Sequence, residues 1–441
     1  MKNFKKGDKK LIRAWAVYDW ANSAYALVIS SAIFPIFYGS ILDDSDTISV
    51  LGTEIRSTAL ISFITGISIL IVTFITPILS GVADYIGNKK VFMKFFVYLG
   101  SLSCIGLYWF DADNIQLGIT FYALALIGWT GSLVFYNSYL PDIAFPNQMD
   151  KASAKGFSYG YVGSVILLVF NLLMVMNPQW FGITGTESEQ ALKAMRYSFI
   201  TVGIWWFLFS QYTFSILPKG IKKVDEIQNV LFNGFYELIS VWKLFKKYIG
   251  LKRFLTSFFI YSMALQTVLI IAAYFGEQEI NWTDDSQKTI GLITSILLIQ
   301  IVAVLGAELT ARASGKFGNI RVLIVLNIIW AIICIAAYKV YEPNQFYVIA
   351  GFVGLVMGGV QALSRSTYSK LMPQTKDTTS FFSFYEVTEK VGVIIGLITF
   401  GLLDQITGSL RSSITFFLIV FLIGALLLLR IPRVTRLSLQ N

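Results

Sequence analysis

Asp19 stands inside the first membrane-length apolar run of the sequence, in Tyr18-Asp19-Trp20-Ala21-Asn22-Ser23-Ala24-Tyr25. A carboxylate in such a run is costly unless it meets a partner, water or a bound solute. Asn22 and Ser23 follow at i+3 and i+4, so the three polar groups share one helix face. A second set, Glu386, Glu389 and Lys390, lies in a later apolar run, and Glu386 and Lys390 have the i,i+4 spacing of an ion pair. Gln361 and Arg365 are one helical turn apart near the end of another run, and Asn137 closes a fourth. Residues of these types bind ions and small polar solutes or pass protons. They do not form a nucleophile with its base, so no catalytic residue is assigned and the chain reads as no enzyme. With no His, a His proton relay is excluded and zinc loses its commonest nitrogen ligand, so no metal is expected. No G-x-x-x-x-G-K-[ST] occurs, which argues against direct ATP drive and leaves no cofactor expected.

The elements that must position these residues are apolar helices. The 441 residues are 55% hydrophobic and 14% charged, against about 25% charged in soluble domains. Twelve runs are long enough to cross a bilayer: 14–40, 57–82, 91–110, 115–139, 157–176, 197–217, 254–275, 289–310, 321–340, 346–364, 382–403 and 412–430. The first follows a basic segment with no cleavage site and reads as a retained helix. Cys104 and Cys334 fall inside such runs, so no disulfide is expected. Between the runs and at their ends, 28 of the 35 Lys and Arg fall on one side of the membrane. The positive-inside rule makes that side, with both termini, cytoplasmic. The same segregation accounts for the net charge of +9 without nucleic acid.

Residues 218–253 divide an N-terminal six-helix bundle (1–217) from a C-terminal one (254–441). Within the linker, Ile227, Leu231, Leu238, Trp242, Phe245 and Ile249 recur at helical spacing with lysines between them. This is an interfacial amphipathic helix on anionic headgroups, a helix packed on the bundle ends or, third in order, a calmodulin-like partner-binding segment. A faint repeat links the halves: Gly87-Asn88-x-Lys90-Val91 matches Gly318-Asn319-x-Arg321-Val322. The fold class expected is therefore all-α, twelve transmembrane helices in two pseudo-symmetric bundles.

Gly81-x-x-x-Asp84-x-x-Gly87-x-Lys89-Lys90 resembles the loop signature of the major facilitator superfamily, with Tyr85 where Arg is usual. In it the glycines are expected to permit a tight turn, the Asp to cap a neighbouring helix, and Lys89 and Lys90 to face headgroups. In the second half Gly315 stands at the position matching Asp84. A narrower resemblance, to the vacuole-effluxer-like family of that superfamily, spans nearly the whole chain. It rests on Tyr18–Tyr25, on Phe135-Tyr136-Asn137-Ser138-Tyr139-Leu140-Pro141-Asp142 and on Gly156-Phe157-Ser158-Tyr159-Gly160-Tyr161-Val162-Gly163. It continues in Gly358-Gly359-Val360-Gln361-Ala362-Leu363-Ser364-Arg365-Ser366 and in Phe381-Phe382-Ser383-Phe384-Tyr385-Glu386 with Lys390. Glu389 departs from the small residue usual there. The resemblance implies a major facilitator fold that moves small solutes by alternating access, with amino acids as the cargo of the fungal members.

Several readings stand side by side. Asp19 is either a carboxylate at the bilayer interface, with Trp15, Tyr18 and Trp20 as an aromatic belt, or a gate or coupling group. Lys390 either neutralises Glu386 or lines a cavity and meets a substrate carboxylate or Asp19. Arg365 either snorkels to headgroups or clamps Glu386. Gln266, Gln300 and Asn171 are expected to hydrogen-bond between helices, and Gly156, Gly160 and Gly163 with Gly351, Gly354, Gly358 and Gly359 to allow close packing. Transport of a small polar solute, with protons and membrane lipids as further partners and a monomer as the working unit in a plasma membrane, is the leading function. Proton-driven export of drugs or metabolites, and a non-transporting sensor or scaffold, are the alternatives.

Overall fold

A computed structural model describes residues 4–42, 47–50, 53–220 and 230–432. Among them are twelve helices long and apolar enough to cross a membrane. Spans 1 to 6 are Lys9–Ile41, Ala59–Ile86, Lys89–Trp109, Ala112–Ile143, Met149–Met176 and Glu187–Ile216. Spans 7 to 12 are Ile249–Glu279, Ser286–Phe317, Asn319–Tyr338, Pro343–Leu371, Thr378–Thr407 and Leu410–Leu428. Most run past their apolar cores, and polar side chains cap several of them. Asp8 accepts from Lys10 N at 2.7 Å, and Thr186 with Glu189 forms a capping box on span 6. A small antiparallel hairpin, Thr47–Val50 with Thr53–Arg56, follows span 1 and has no counterpart in the sequence reading. Ile227, from the linker pattern, lies outside the described residues.

Contacts divide the chain into two compact units. The first holds Met1–Ile143, Tyr159–Leu238 and Asp377–Ser383; the second holds Ala144–Ser158, Ile239–Lys376 and Phe384–Asn441. In the first, span 1 packs on 6, 3 on 6, 3 on 4 and 2 on 4. In the second, span 7 packs on 12, 9 on 12, 9 on 10 and 8 on 10. These are the same four pairings shifted by six spans, so the duplication faint in the sequence is explicit in the packing.

Small residues permit it. A Cβ on Gly128 of span 4 would lie 2.5 Å from Gly100 Cα of span 3. Gly354 and Gly358 of span 10 likewise press on the backbone carbonyls of Ile299 and Ala303 in span 8. Gly351 instead faces open space. At the ends of spans 3 and 9 two arginines repeat the theme. Arg196 of span 6 donates to Phe110 O at 3.0 Å and pairs with Asp111; Arg411 of span 12 donates to Tyr338 O at 3.0 Å and pairs with Glu279.

Span 1 is not α-helical throughout. Tyr25–Ile33 forms a π-helix between Lys9–Ala24 and Phe34–Ile41, and Ser31 Oγ donates to Ala26 O five residues back. Such turns occur often at functional sites, and this one begins two residues after Ser23.

Candidate functional site

In the first unit Asp19 is buried, and Tyr136 of span 4 donates its hydroxyl to Asp19 Oδ2 at 2.7 Å. The tyrosine is itself fixed. Trp15 donates its indole N–H to Tyr136 O at 2.9 Å and stacks on the ring at 4.6 Å between centroids. Tyr18 donates to Ser132 at 2.6 Å. Trp15 and Tyr18 are fully buried, so the interfacial aromatic belt is replaced by an aromatic wall between spans 1 and 4. The reason is spacing: residues 15, 18, 19 and 22 share one helix face, and that face packs inward. Asn22 is buried with its Nδ2 unpartnered among the described residues. Ser23 faces span 5, where a Cβ on Gly160 would collide with its Oγ. Gly163 presses on Trp20 in the same way. Asn137 is buried near the end of span 4.

In the second unit Lys390 lies twelve residues into span 11, about 18 Å along the helix at 1.5 Å per residue. Its ammonium donates to Glu386 Oε2 at 2.8 Å, with both groups buried. Gln266 of span 7 donates to Glu389 Oε1 at 2.7 Å, an interhelical bond from one of the amides singled out in the sequence. In the first unit Thr201 donates to a second, Asn171, at 2.8 Å, whereas Gln300 Oε1 of the second unit is buried with no partner among the described residues. Glu386, Lys390 and Arg365 all act electrostatically on Glu389. Two carboxylates and two cations thus share one region, three of them buried and Glu389 partly so, with Gln361 one turn from Arg365 on span 10. Tyr261, bonded to Ser364 at 2.7 Å, and Tyr385, stacked on Phe258 at 4.3 Å, line the same helices. Arg365 is buried and does not snorkel: its Nε donates to Ser153 Oγ and its Nη2 to Ser153 O, both at 2.9 Å, and it sits over the Phe157 ring at 4.1 Å.

Two polar clasps tie short stretches into these units. In the first unit Asp84, in the last turns of span 2, accepts from Thr379 N at 3.2 Å and Ser380 N at 2.6 Å. These are the free N–H groups of the first turn of span 11, where a carboxylate is favoured. Lys89 reinforces the same joint, donating to Thr378 Oγ1 at 2.8 Å, Ser138 O at 2.8 Å and Asp142 Oδ2 at 2.5 Å. Lys89 and Lys90 therefore do not face headgroups. Both are buried, because these carbonyls and Asp142 replace their hydration; Lys90 donates to Leu217 O at 2.7 Å.

The glycines also divide their roles. Gly87 takes φ 72° at the end of span 2 and makes the turn, but Gly81 is helical. Its missing Cβ admits the Gly234 backbone of the linker helix Val230–Lys247. Asn233 of that helix donates to Tyr85 OH at 2.9 Å, so Tyr85 serves as a docking point.

In the second unit Gly315 stands at the place of Asp84 and Gly318 at the place of Gly87, with φ 85°. The carboxylate here comes from Asp150, in the first turn of span 5. It accepts from Lys370 at 2.5 Å, from Asn319 at 2.8 Å and from Ser314 at 2.9 Å. Sequence reasoning missed Asp150, although Asn319 in the repeated Gly-Asn pair marks its partner.

Twelve membrane helices paired as 1–6 and again as 7–12 define a transporter fold of the major facilitator superfamily, whose members are not enzymes. The solved fucose transporter FucP, in its outward conformation, shares the fold at TM-score 0.72 and 12% identity, over 96% of this chain and 100% of that one. The proton:xylose symporter XylE shares it at TM-score 0.66 and 13% identity, over 96% and 95%. The chain belongs to the family described as vacuole effluxer Atg22 like, whose profile matches residues 7–153 and 146–436. It is 30% identical to the MFS-type transporter YxiO of Bacillus subtilis over 99% of this chain and 97% of that protein. It is 26% identical to autophagy-related protein 22 of Kluyveromyces lactis over 95% and 92%.

Proposed function

We propose that this transporter moves a small zwitterionic solute, an amino acid in the leading case, by alternating access. The observation that carries the reading is the group of buried Arg365, Glu386 and Lys390 with the partly buried Glu389. It offers both signs of charge to a solute that bears both, in a region where water is scarce. The family resemblance supports amino acids as the cargo. Glu389, held by a neutral amide, is the proton-coupling group in this reading, and Asp19 with Tyr136 is its counterpart in the first unit. The Lys-rich ends of the spans face the cytosol of a plasma membrane under the positive-inside rule, and the two clasps there act as gates. Protein reconstituted in liposomes, given labelled amino acids with and without a pH gradient, tests the reading. Flux should rise with the gradient, and Lys390→Ala should abolish it while leaving folded protein in the membrane. Unchanged flux in that variant would sink the assignment.

A further inference from the structure

The end of the linker helix, the start of span 7 and the end of span 12 meet around a cavity of about 350 Å³. Lys246, Lys252, Arg253 and Arg430 line it, with Ile249 and Leu427 as its apolar wall. All these residues belong to the second unit. Among the described residues no carboxylate lines the cavity, and none of the four cations forms a salt bridge. Four cations side by side raise a positive potential in the cavity, which draws an anion to it.

The residues are built toward that anion. Arg253 donates one N–H to Arg430 O at 2.6 Å, across the gap between spans 7 and 12. That bond fixes the guanidinium and leaves other donors of its fork free. Lys246 sits 5.5 Å from the Trp242 ring centroid, and that aromatic is half exposed on the same helix.

The level of the cavity narrows the choice of anion. Span 7 begins at Ile249 and span 12 ends at Leu428, so the cavity lies where both helices leave the apolar layer. Ile249 is 60% exposed and Leu429 65%, which gives an acyl chain a surface beside the charges. A basic pocket between helix ends at this depth matches a lipid headgroup, with the tail along the outer face.

We propose that this cavity binds the phosphodiester headgroup of an anionic glycerophospholipid of the phosphatidylglycerol class. Lys252, Arg253 and Arg430 contact the phosphate, and Ile249 and Leu427 border the glycerol. The lipid bridges the linker helix to spans 7 and 12. The site is separate from the buried charges of spans 10 and 11.

The test is thermal unfolding of the full chain in nanodiscs of phosphatidylcholine, titrated with phosphatidylglycerol. The parent should show a saturable rise in Tm. Lys252→Gln with Arg430→Gln, both at exposed positions, should keep the parent Tm in pure phosphatidylcholine. It should weaken the apparent lipid affinity roughly thirtyfold, the effect of two basic residues near a membrane surface. Lys243→Gln with Lys247→Gln removes equal charge from exposed positions outside the lining and should leave the titration unchanged. Equal weakening by both pairs would show a diffuse field and overturn the site. Retention of the full shift in the Lys252 and Arg430 variant would overturn it too. Inorganic phosphate added to phosphatidylcholine nanodiscs should produce no shift; a matching shift would overturn the lipid and assign the cavity to free phosphate.

Discussion

The two clasps occupy equivalent places in the duplicated fold yet are wired with opposite polarity. In the first unit the bundle end supplies the acid, Asp84, and the start of span 11 supplies backbone N–H donors. In the second unit the start of span 5 supplies the acid, Asp150, and the bundle end supplies Ser314, Asn319 and Lys370. The exchange follows from one position: Gly315 stands where Asp84 stands, so the carboxylate had to come from the other partner. A duplicated joint can therefore keep its geometry while donor and acceptor trade sides. The trade also changes strength. Backbone N–H groups cannot be mutated away and a helix end always presents them, whereas an ammonium and an amide are specific side chains.

That difference gives three ways to break the comparison, from the largest effect down. Asp150→Ala should destabilise the protein by about 3 kcal/mol, since it strands Lys370, which is one-quarter exposed, and two further donors. Asp84→Asn should cost less, about 1–2 kcal/mol, because its carbonyl still accepts from the helix end. Thermal or denaturant unfolding in detergent ranks the two. A double-mutant cycle of Asp150 with Lys370 should give a coupling on the order of 1–3 kcal/mol.

One glycine from each of these joints comes next. Gly81→Ala must push the linker helix away from span 2 and should cost roughly 1–3 kcal/mol. Gly315→Ala meets nothing within 4 Å and should stabilise span 8 by up to about 1 kcal/mol. Equal effects on Tm would mean that the linker helix contributes nothing to the joint.

The smallest contrast concerns the turns. Gly87, at φ 72° and ψ 28°, lies in a region Asn tolerates, so Gly87→Asn should be nearly neutral. Gly318, at φ 85° and ψ 148°, lies where glycine alone is comfortable, and Gly318→Asn should cost about 1 kcal/mol or more. Unfolding midpoints of the two variants should separate accordingly.

Much of this was legible in the sequence. Twelve apolar runs were visible because membrane length and composition are one-dimensional properties. The Glu386–Lys390 pair was visible because i,i+4 spacing on a helix is local. The turn glycines announced the repeat, although Gly81 reads the same as Gly87 and only packing separates them. Burial of Lys89 and Lys90 was not legible, since Ser138, Asp142 and Leu217 come from distant sequence. Asp150 escaped for the same reason: nothing near it says that Asn319 and Lys370 surround it. Nor did composition betray the π-helix, which is a matter of hydrogen-bond register.

That π-helix has a consequence for lineage. A ladder that reaches five residues back holds one more residue than an α-helix of the same rise requires. Span 1 therefore carries a spare residue between the face that holds Asp19 and the face that buries Phe34, Phe37 and Tyr38. It is the stretch of this helix where descent can delete a single amino acid and close the gap by tightening the coil. Elsewhere in the span, the same deletion would turn one of those faces out of its seat.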